Sequence, residues 1–189
     1  MLKRRHLLAA GLAATALPTW AADDGVAALL RQGGVVIALR HALAPGTFDP
    51  PDFKPGVCST QRNLSDEGRA HARRIGEWFN AAGLPPARVR SSPWCRCLDT
   101  ATLAFGKAEP WAALGSPRGA TEATNAESLA ELRRALAAAS APRRPFEAWV
   151  THMFVLSDLA GTNSSSGEGL VLRADGTSGV KVLARLMVT

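Results

Sequence analysis

A run of five apolar residues, Val35 to Leu39, constrains the fold of this chain more than any other feature. Gly33 and Gly34 precede the run, and Arg40 and His41 follow it directly. An uninterrupted apolar stretch of this length is typical of a buried strand. Ligands of open α/β sheets bind at the carboxyl ends of the strands. The Arg40-His41 pair is therefore either a satisfied strand end or the floor of an anion-binding site.

Strand-like and helix-like segments alternate through most of the sequence. Further strands are predicted over residues 88–91, 146–151, 169–173 and 180–188, and helices over 24–32, 65–82, 93–105, 126–139 and 153–160. Residues 42–63, rich in Pro, Gly and Asp, are expected to form a long loop, and loops of this length are usually functional or disordered. The alternation predicts an α/β fold, a three-layer sandwich with a mostly parallel sheet and helices on both faces. The last two strands form a hairpin and predict an antiparallel edge.

The first 21 residues resemble a secretory signal peptide. Basic residues come first, an apolar stretch follows, and small residues precede a cleavage site after Ala21. An uncleaved N-terminal anchor is the alternative, and the Arg4-Arg5 pair leaves export by the Sec or the twin-arginine route open. Cleavage would leave one domain, residues 22–189, that is periplasmic or secreted and has no membrane span.

The charge of the chain gives no argument for nucleic-acid binding. The formal net charge is +6, and the signal segment contains three basic residues and no acid. The mature chain would therefore carry only +3, a modest value for a protein of this size.

Three predicted strands end in polar residues. Arg40 and His41 follow the first, Arg96 follows the second within SSPWCR, and His152 follows the strand that ends in VT. If the three strands are parallel, all of these groups lie at one edge of the sheet. Two arginines and two histidines around one point predict a phosphate site, since the guanidinium fork matches phosphate oxygens.

Four short motifs carry a resemblance to a known family. The segments RHALAPG, NLSDEG, SSPWCRCLDTA and VTH occur in this order over roughly residues 35–189. Together they resemble the histidine phosphatase superfamily, branch 1 type, which includes phosphoglycerate mutases and phosphohistidine phosphatases. The resemblance is to an exported bacterial member and implies a phosphoglycerate mutase-like fold.

The resemblance implies a role for each of the four clustered residues. His41 would be the nucleophile that becomes phosphorylated, Arg40 and Arg96 would hold the phosphoryl oxygens, and His152 would contact them from the other side. Positive charge from arginines suits phosphoryl transfer without a metal, and their field is expected to lower the pKa of His41. The expected function is a metal-independent phosphatase that hydrolyses a phosphomonoester through a phosphohistidine and uses no cofactor.

Two further roles are less defined by the motifs. Many members of the family place an acidic proton donor after the second arginine, where this chain offers Glu122 and Glu127 without a motif. Glu168, just before a strand, is the preferred candidate for the donor. Arg62 is expected either to reach the substrate from the long loop or to lie in solvent. Trp94 either lines the pocket or packs beneath it.

The activity and the substrate leave alternatives open. A non-catalytic exported binder of phosphorylated envelope components is one, and a phosphomutase is another. The expected partner is a phosphorylated small molecule or a phosphate ester of the cell envelope, and the oligomeric state is open.

The three cysteines predict one disulfide and one thiol in an oxidising compartment. Cys95 and Cys97 point apart on a helix, so Cys58 is expected to pair with one of them. Cys97 lies one step deeper in the helix, which slightly favours Cys95 as the partner. A zinc site that includes Cys95 and Cys97 is the alternative.

Overall fold

A six-stranded mixed sheet lies at the centre of the part of the chain that is described. The computed structural model describes residues 20–46, 48–116, 122–176 and 179–189. The strands are β1 Val36–Arg40, β2 Arg88–Ser91, β3 Glu109–Pro110, β4 Glu147–Thr151, β5 Gly169–Asp175 and β6 Gly179–Leu186. Their order is β3-β2-β4-β1-β5-β6. The pairs β3–β2, β2–β4 and β4–β1 are parallel, and β1–β5 and β5–β6 are antiparallel.

Helices cover both faces of this sheet. They are α1 Trp20–Gln32, α2 Asp66–Ala81, α3 Cys95–Phe105, α4 Glu122–Ala139 and α5 Met153–Ala160, with 3-10 turns at Cys58–Thr60 and Ala112–Leu114. The predicted three-layer α/β sandwich, with a mostly parallel sheet and an antiparallel edge, is confirmed. The two-residue strand β3 was not predicted.

The apolar run around β1 divides its side chains between two cores. Ile37 and Leu39 pack with residues of α1, α2 and α3 on one face of the sheet. Val36 and Ala38 pack with residues of α4 and α5 on the other. All four are fully buried, because successive side chains of a strand point to opposite faces and both faces are covered. This is why the run contains no polar residue.

The start of α2 fixes the chain that leaves β1. The Ser65 side chain caps the helix by accepting a hydrogen bond from Gly68 N at 3.0 Å, and Ser65 N donates to Leu43 O at 3.1 Å. A Cβ at Gly68 would overlap the carbonyl group of Leu43. The LSDEG element therefore holds the segment after His41 against the helix.

The predicted signal segment lies almost entirely outside the described residues. Helix α1 begins at Trp20, so the predicted cleavage site after Ala21 falls within its first turn. Of the described part of the chain, no helix combines the length and the apolar character that a membrane crossing requires.

Candidate active site

The two predicted histidines follow neighbouring parallel strands. Arg40 pairs with Thr151 in the register of β1 and β4, and His41 N donates to Thr151 O at 2.9 Å. His41 and His152 are the next residues on the two strands, and their ring centroids lie 5.5 Å apart. The sheet therefore brings them together as the strand pattern predicts.

The end of β2, which pairs with β4 on the side away from β1, lies at the same edge of the sheet as the two histidines. Ser92 N, just beyond β2, donates to Val150 O at 2.8 Å. Helix α3 begins three residues later, and its second residue is Arg96, whose side chain is buried beside both histidines. The four residues that the sequence placed in the site thus lie at one edge of the sheet.

His41 presents a lone pair at Nε2. Its Nδ1 lies 2.7 Å from the carbonyl oxygen of Ala42, which can only accept, so Nδ1 carries the proton. Nε2 then accepts a hydrogen bond from Arg96 Nε at 3.2 Å. A backbone carbonyl thus orients the ring, and the basic nitrogen faces the guanidinium group.

The pKa of His41 is lowered to about 3. Burial of the ring is the largest cause, and the charges of Arg96, Arg62 and Arg40 lower it further, against an opposing effect of the Ala42 carbonyl. The direction agrees with the prediction, but burial contributes more than the arginine field does. His41 is therefore neutral at physiological pH, as a nitrogen nucleophile must be.

His152 is held by hydrogen bonds at both ring nitrogens. Nδ1 lies 3.3 Å from Arg96 Nη2 and accepts from it, so Nε2 carries the proton and donates to Ser92 Oγ at 2.7 Å. Burial, followed by the charge of Arg96, holds the pKa of His152 well below its ordinary value. The Trp94 ring packs edge-on to the imidazole, with centroids 5.4 Å apart.

The other two predicted arginines also line the site. Arg40 Nη1 donates to Ser164 O at 2.8 Å, and Arg62 Nη1 donates to Ala44 O. Each guanidinium group keeps further N–H donors after making that bond. The structure therefore brings Arg62 to the pocket rather than leaving it in solvent.

Asp49 is a site residue that the sequence analysis missed. Its carboxylate pairs with Arg96 through both oxygens, at 2.8 Å from Nη1 and 3.3 Å from Nη2, and accepts from Arg62 N at 3.0 Å. Burial alone would raise the pKa of Asp49, but the bonds from Arg62 and Arg96 together bring it below its ordinary value. No motif surrounds Asp49, and its location in a long functional loop was the only available signal.

Glu168, the preferred proton donor of the sequence analysis, does not line the cavity. Its Oε2 accepts from Ser165 N at 2.7 Å, and its Oε1 pairs with Arg185 of β6 at 2.7 Å. One oxygen is thus bonded to the segment before β5 and the other to β6. Glu127 is exposed on α4, and the side chain of Glu122 lies outside the described part.

A disulfide joins Cys58 to Cys95 across a sequence separation of 37 residues. The favoured pairing is confirmed, and it removes Cys95 as a zinc ligand. Cys97 is a buried free thiol, and burial raises its pKa to about 12.

Trp94 packs beneath the site, where its ring stacks with Phe53 at 5.3 Å between centroids. Among the residues that the structure describes, no cluster of three His, Cys, Asp or Glu side chains could hold a metal.

The clustered residues surround a cavity of about 430 Å³. The charged end of the cavity is the cluster of lining residues Arg40, His41, Asp49, Arg62, Arg96 and His152. The rest of the described lining consists of Gly46, Phe48, Ser116, Met153 and Phe154. The charged end has three guanidinium groups against one carboxylate, so it favours a small multivalent anion.

Solved structures match this fold, although no protein-family model matches the chain and no curated protein matches its sequence. The protein histidine phosphatase SixA, complexed with tungstate, is 15% identical, with a TM-score of 0.56 over 80% of this chain and 96% of that chain. The putative phosphohistidine phosphatase SixA from Agrobacterium tumefaciens is 20% identical, with a TM-score of 0.52 over 81% and 97%. A mycobacterial glucosyl-3-phosphoglycerate phosphatase is 14% identical, with a TM-score of 0.57 over 79% and 97%. The phosphoglycerate mutase-like fold that the resemblance implied is therefore confirmed.

Proposed function

We propose that this protein is a metal-independent phosphatase that hydrolyses a phosphomonoester through a phosphohistidine on His41. The observation that carries the proposal is the orientation of His41, whose unprotonated Nε2 lies at the charged end of the cavity. Arg40, Arg62 and Arg96 surround that end and can neutralise the phosphoryl oxygens. The fold shared with histidine phosphatases supports the same reaction.

The reaction would proceed in two displacements. In the first, the Nε2 lone pair of His41 forms a bond to phosphorus, and the bond from phosphorus to the leaving oxygen breaks. In the second, water attacks phosphorus and gives a proton to the group that protonated the leaving oxygen, and the bond from phosphorus to Nε2 breaks, which releases inorganic phosphate and neutral His41. The arginines hold the equatorial oxygens in both steps, and His152 lines the same cavity and bonds Arg96.

Asp49 is our candidate for the proton donor to the leaving oxygen. It is the carboxyl group that lines the cavity in the described part of the chain. Its bonds to Arg96 keep it ionised, but a phosphate dianion would compete with it for the same guanidinium group. Loss of that partner and the nearby negative charge both raise the pKa of a carboxyl group, which would allow Asp49 to carry a proton.

We also propose that the protein acts after export. The disulfide between Cys58 and Cys95 supports an oxidising compartment such as the periplasm, because such bonds are rare in the reducing cytosol.

The proposal is tested with the purified chain and p-nitrophenyl phosphate. We expect turnover by the wild type, none by His41→Ala, and near-normal turnover by His71→Ala. His71 is a suitable control because its ring bonds Val188 O at 2.7 Å and does not line the cavity. Quenching with ³²P-labelled substrate should trap an acid-labile, base-stable phosphoenzyme. Unchanged hydrolysis by a folded His41→Ala variant would refute the mechanism, and binding without product would indicate a non-catalytic binder.

A further inference from the structure

Part of the lining of the cavity is apolar. Phe48, next to Asp49 in the long loop, and Phe154, in the first turn of α5, both line it, together with Met153. The Phe48 side chain is 71% exposed and that of Phe154 is 47% exposed. Large apolar side chains that are exposed together commonly mark a binding surface.

Few large apolar residues are exposed in the described part of the chain. There are four, namely Phe48, Phe154, Val57 and Met187. Two of the four therefore face the same cavity, which is also the cavity of the arginines. Burial of Phe48 and Phe154 against a ligand would remove apolar surface from water, which is the usual source of affinity for an apolar group.

The described lining offers few uncharged partners for a polar group. Ser116 is the uncharged polar side chain among the described residues that line the cavity. The carboxylate of Asp49 is already paired with Arg96. A sugar or another polyhydroxylated group that packed against Phe48, Met153 and Phe154 would lose hydrogen bonds to water without replacing them there, and that loss is costly.

We propose that the substrates of this site are phosphomonoesters whose organic group is apolar, such as an alkyl, prenyl or aryl chain. The inference rests on the proposed function, which concerns the phosphate. It adds the chemistry of the organic group to which the phosphate is attached. The arginines bind the dianion, and Phe48, Met153 and Phe154 cover the first carbons of the chain. A chain longer than the cavity would extend into solvent or into an assembly such as a micelle.

The experiment measures binding of phosphonates, which cannot be hydrolysed, by isothermal titration calorimetry. It compares hexylphosphonate with a hydroxylated phosphonate of the same chain length. We expect the wild type to bind hexylphosphonate at least about tenfold more tightly, as burial of two or more methylene groups would give. In the double variant Phe48→Ala and Phe154→Ala, the ratio should fall below about threefold. Met187→Ala, which removes an exposed apolar side chain outside the cavity, should retain the wild-type preference for hexylphosphonate.

Inorganic phosphate serves as the probe of the charged end. Its affinity should be the same in all three proteins, which shows that the double variant has kept its arginine site. Equal affinities of the wild type for the two phosphonates, or a preference that survives in the double variant, would overturn the inference. Tight binding of hexylphosphonate without turnover of p-nitrophenyl phosphate would overturn the proposed function and leave the ligand class standing.

Discussion

Mild acid should destabilise this protein through its two buried histidines. A histidine whose pKa is lower in the folded state than in the unfolded state contributes stability above the unfolded pKa, and that contribution is lost as the pH falls. His41 has a pKa of about 3 in the fold against 6.5 for a histidine in water, and the pKa of His152 is shifted in the same direction. The loss should therefore begin near pH 6.5 and continue toward pH 3.

The magnitude follows from the pKa difference. Each pH unit in this window removes about 1.36 kcal/mol for each histidine that is protonated only when unfolded. Of the change from pH 7.5 to pH 5, about 1.5 units lie below the pKa of unfolded histidine, 6.5. His41 therefore accounts for a loss of about 2 kcal/mol in the free energy of unfolding. His152 adds a loss of the same sign.

Urea unfolding at the two pH values measures this loss. The variant His41→Gln keeps a polar side chain of similar size but does not titrate, so it isolates the contribution of His41. We expect the loss between pH 7.5 and pH 5 to be about 2 kcal/mol smaller in the variant than in the wild type. Carboxylates that titrate in both proteins cancel in this difference. The same pH dependence in both would refute the view that His41 is buried in its neutral form.

Three further predictions concern the groups around the histidines. Asp49→Asn should lower kcat for an alkyl phosphate by about 10²-fold or more and lower kcat for p-nitrophenyl phosphate much less, because only the poor leaving group needs a proton. Equal losses of kcat for the two substrates would make Asp49 a positioning residue for Arg96. Cys58→Ser should destabilise the protein by about 4 kcal/mol in the chain-entropy model, as measured by thermal or urea unfolding. Unchanged stability would contradict the idea that the Cys58–Cys95 bond constrains the unfolded chain. Incubation with EDTA should leave phosphatase activity unchanged, whereas loss of activity with rescue by zinc would indicate a metal site.

Much of the site could be predicted because its residues lie at the ends of buried strands. The sequence marks such ends clearly, since an apolar run stops abruptly at a charged residue, as at Arg40 and His41. The sheet then determines which ends are adjacent, and parallel pairing brings His152 to the same edge. Strand β3 escaped prediction because two residues, Glu109 and Pro110, give no periodic signal.

Asp49 and Glu168 show what the sequence pattern does not contain. Asp49 reaches Arg96 because the long loop folds back, and that path depends on Gln61, which accepts from Cys95 N at 2.9 Å, and on the disulfide. Glu168 lies at the start of β5, near the predicted edge, but its side chain turns toward Arg185. Side-chain direction in loops and at strand starts is decided by tertiary partners, which local sequence does not specify.

The topology of the sheet has a consequence for how the chain emerges during synthesis. Strand β1 is hydrogen-bonded to β4 on one side and β5 on the other, and both of these lie more than about 100 residues downstream. A nascent chain therefore carries the most apolar strand of the molecule without either neighbour until most of the polypeptide has left the ribosome. Such a chain cannot complete its core early, which keeps it accessible to chaperones and prone to aggregation. Under the proposed export, if it proceeds by the Sec route in unfolded form, the same delay would keep the chain competent for translocation.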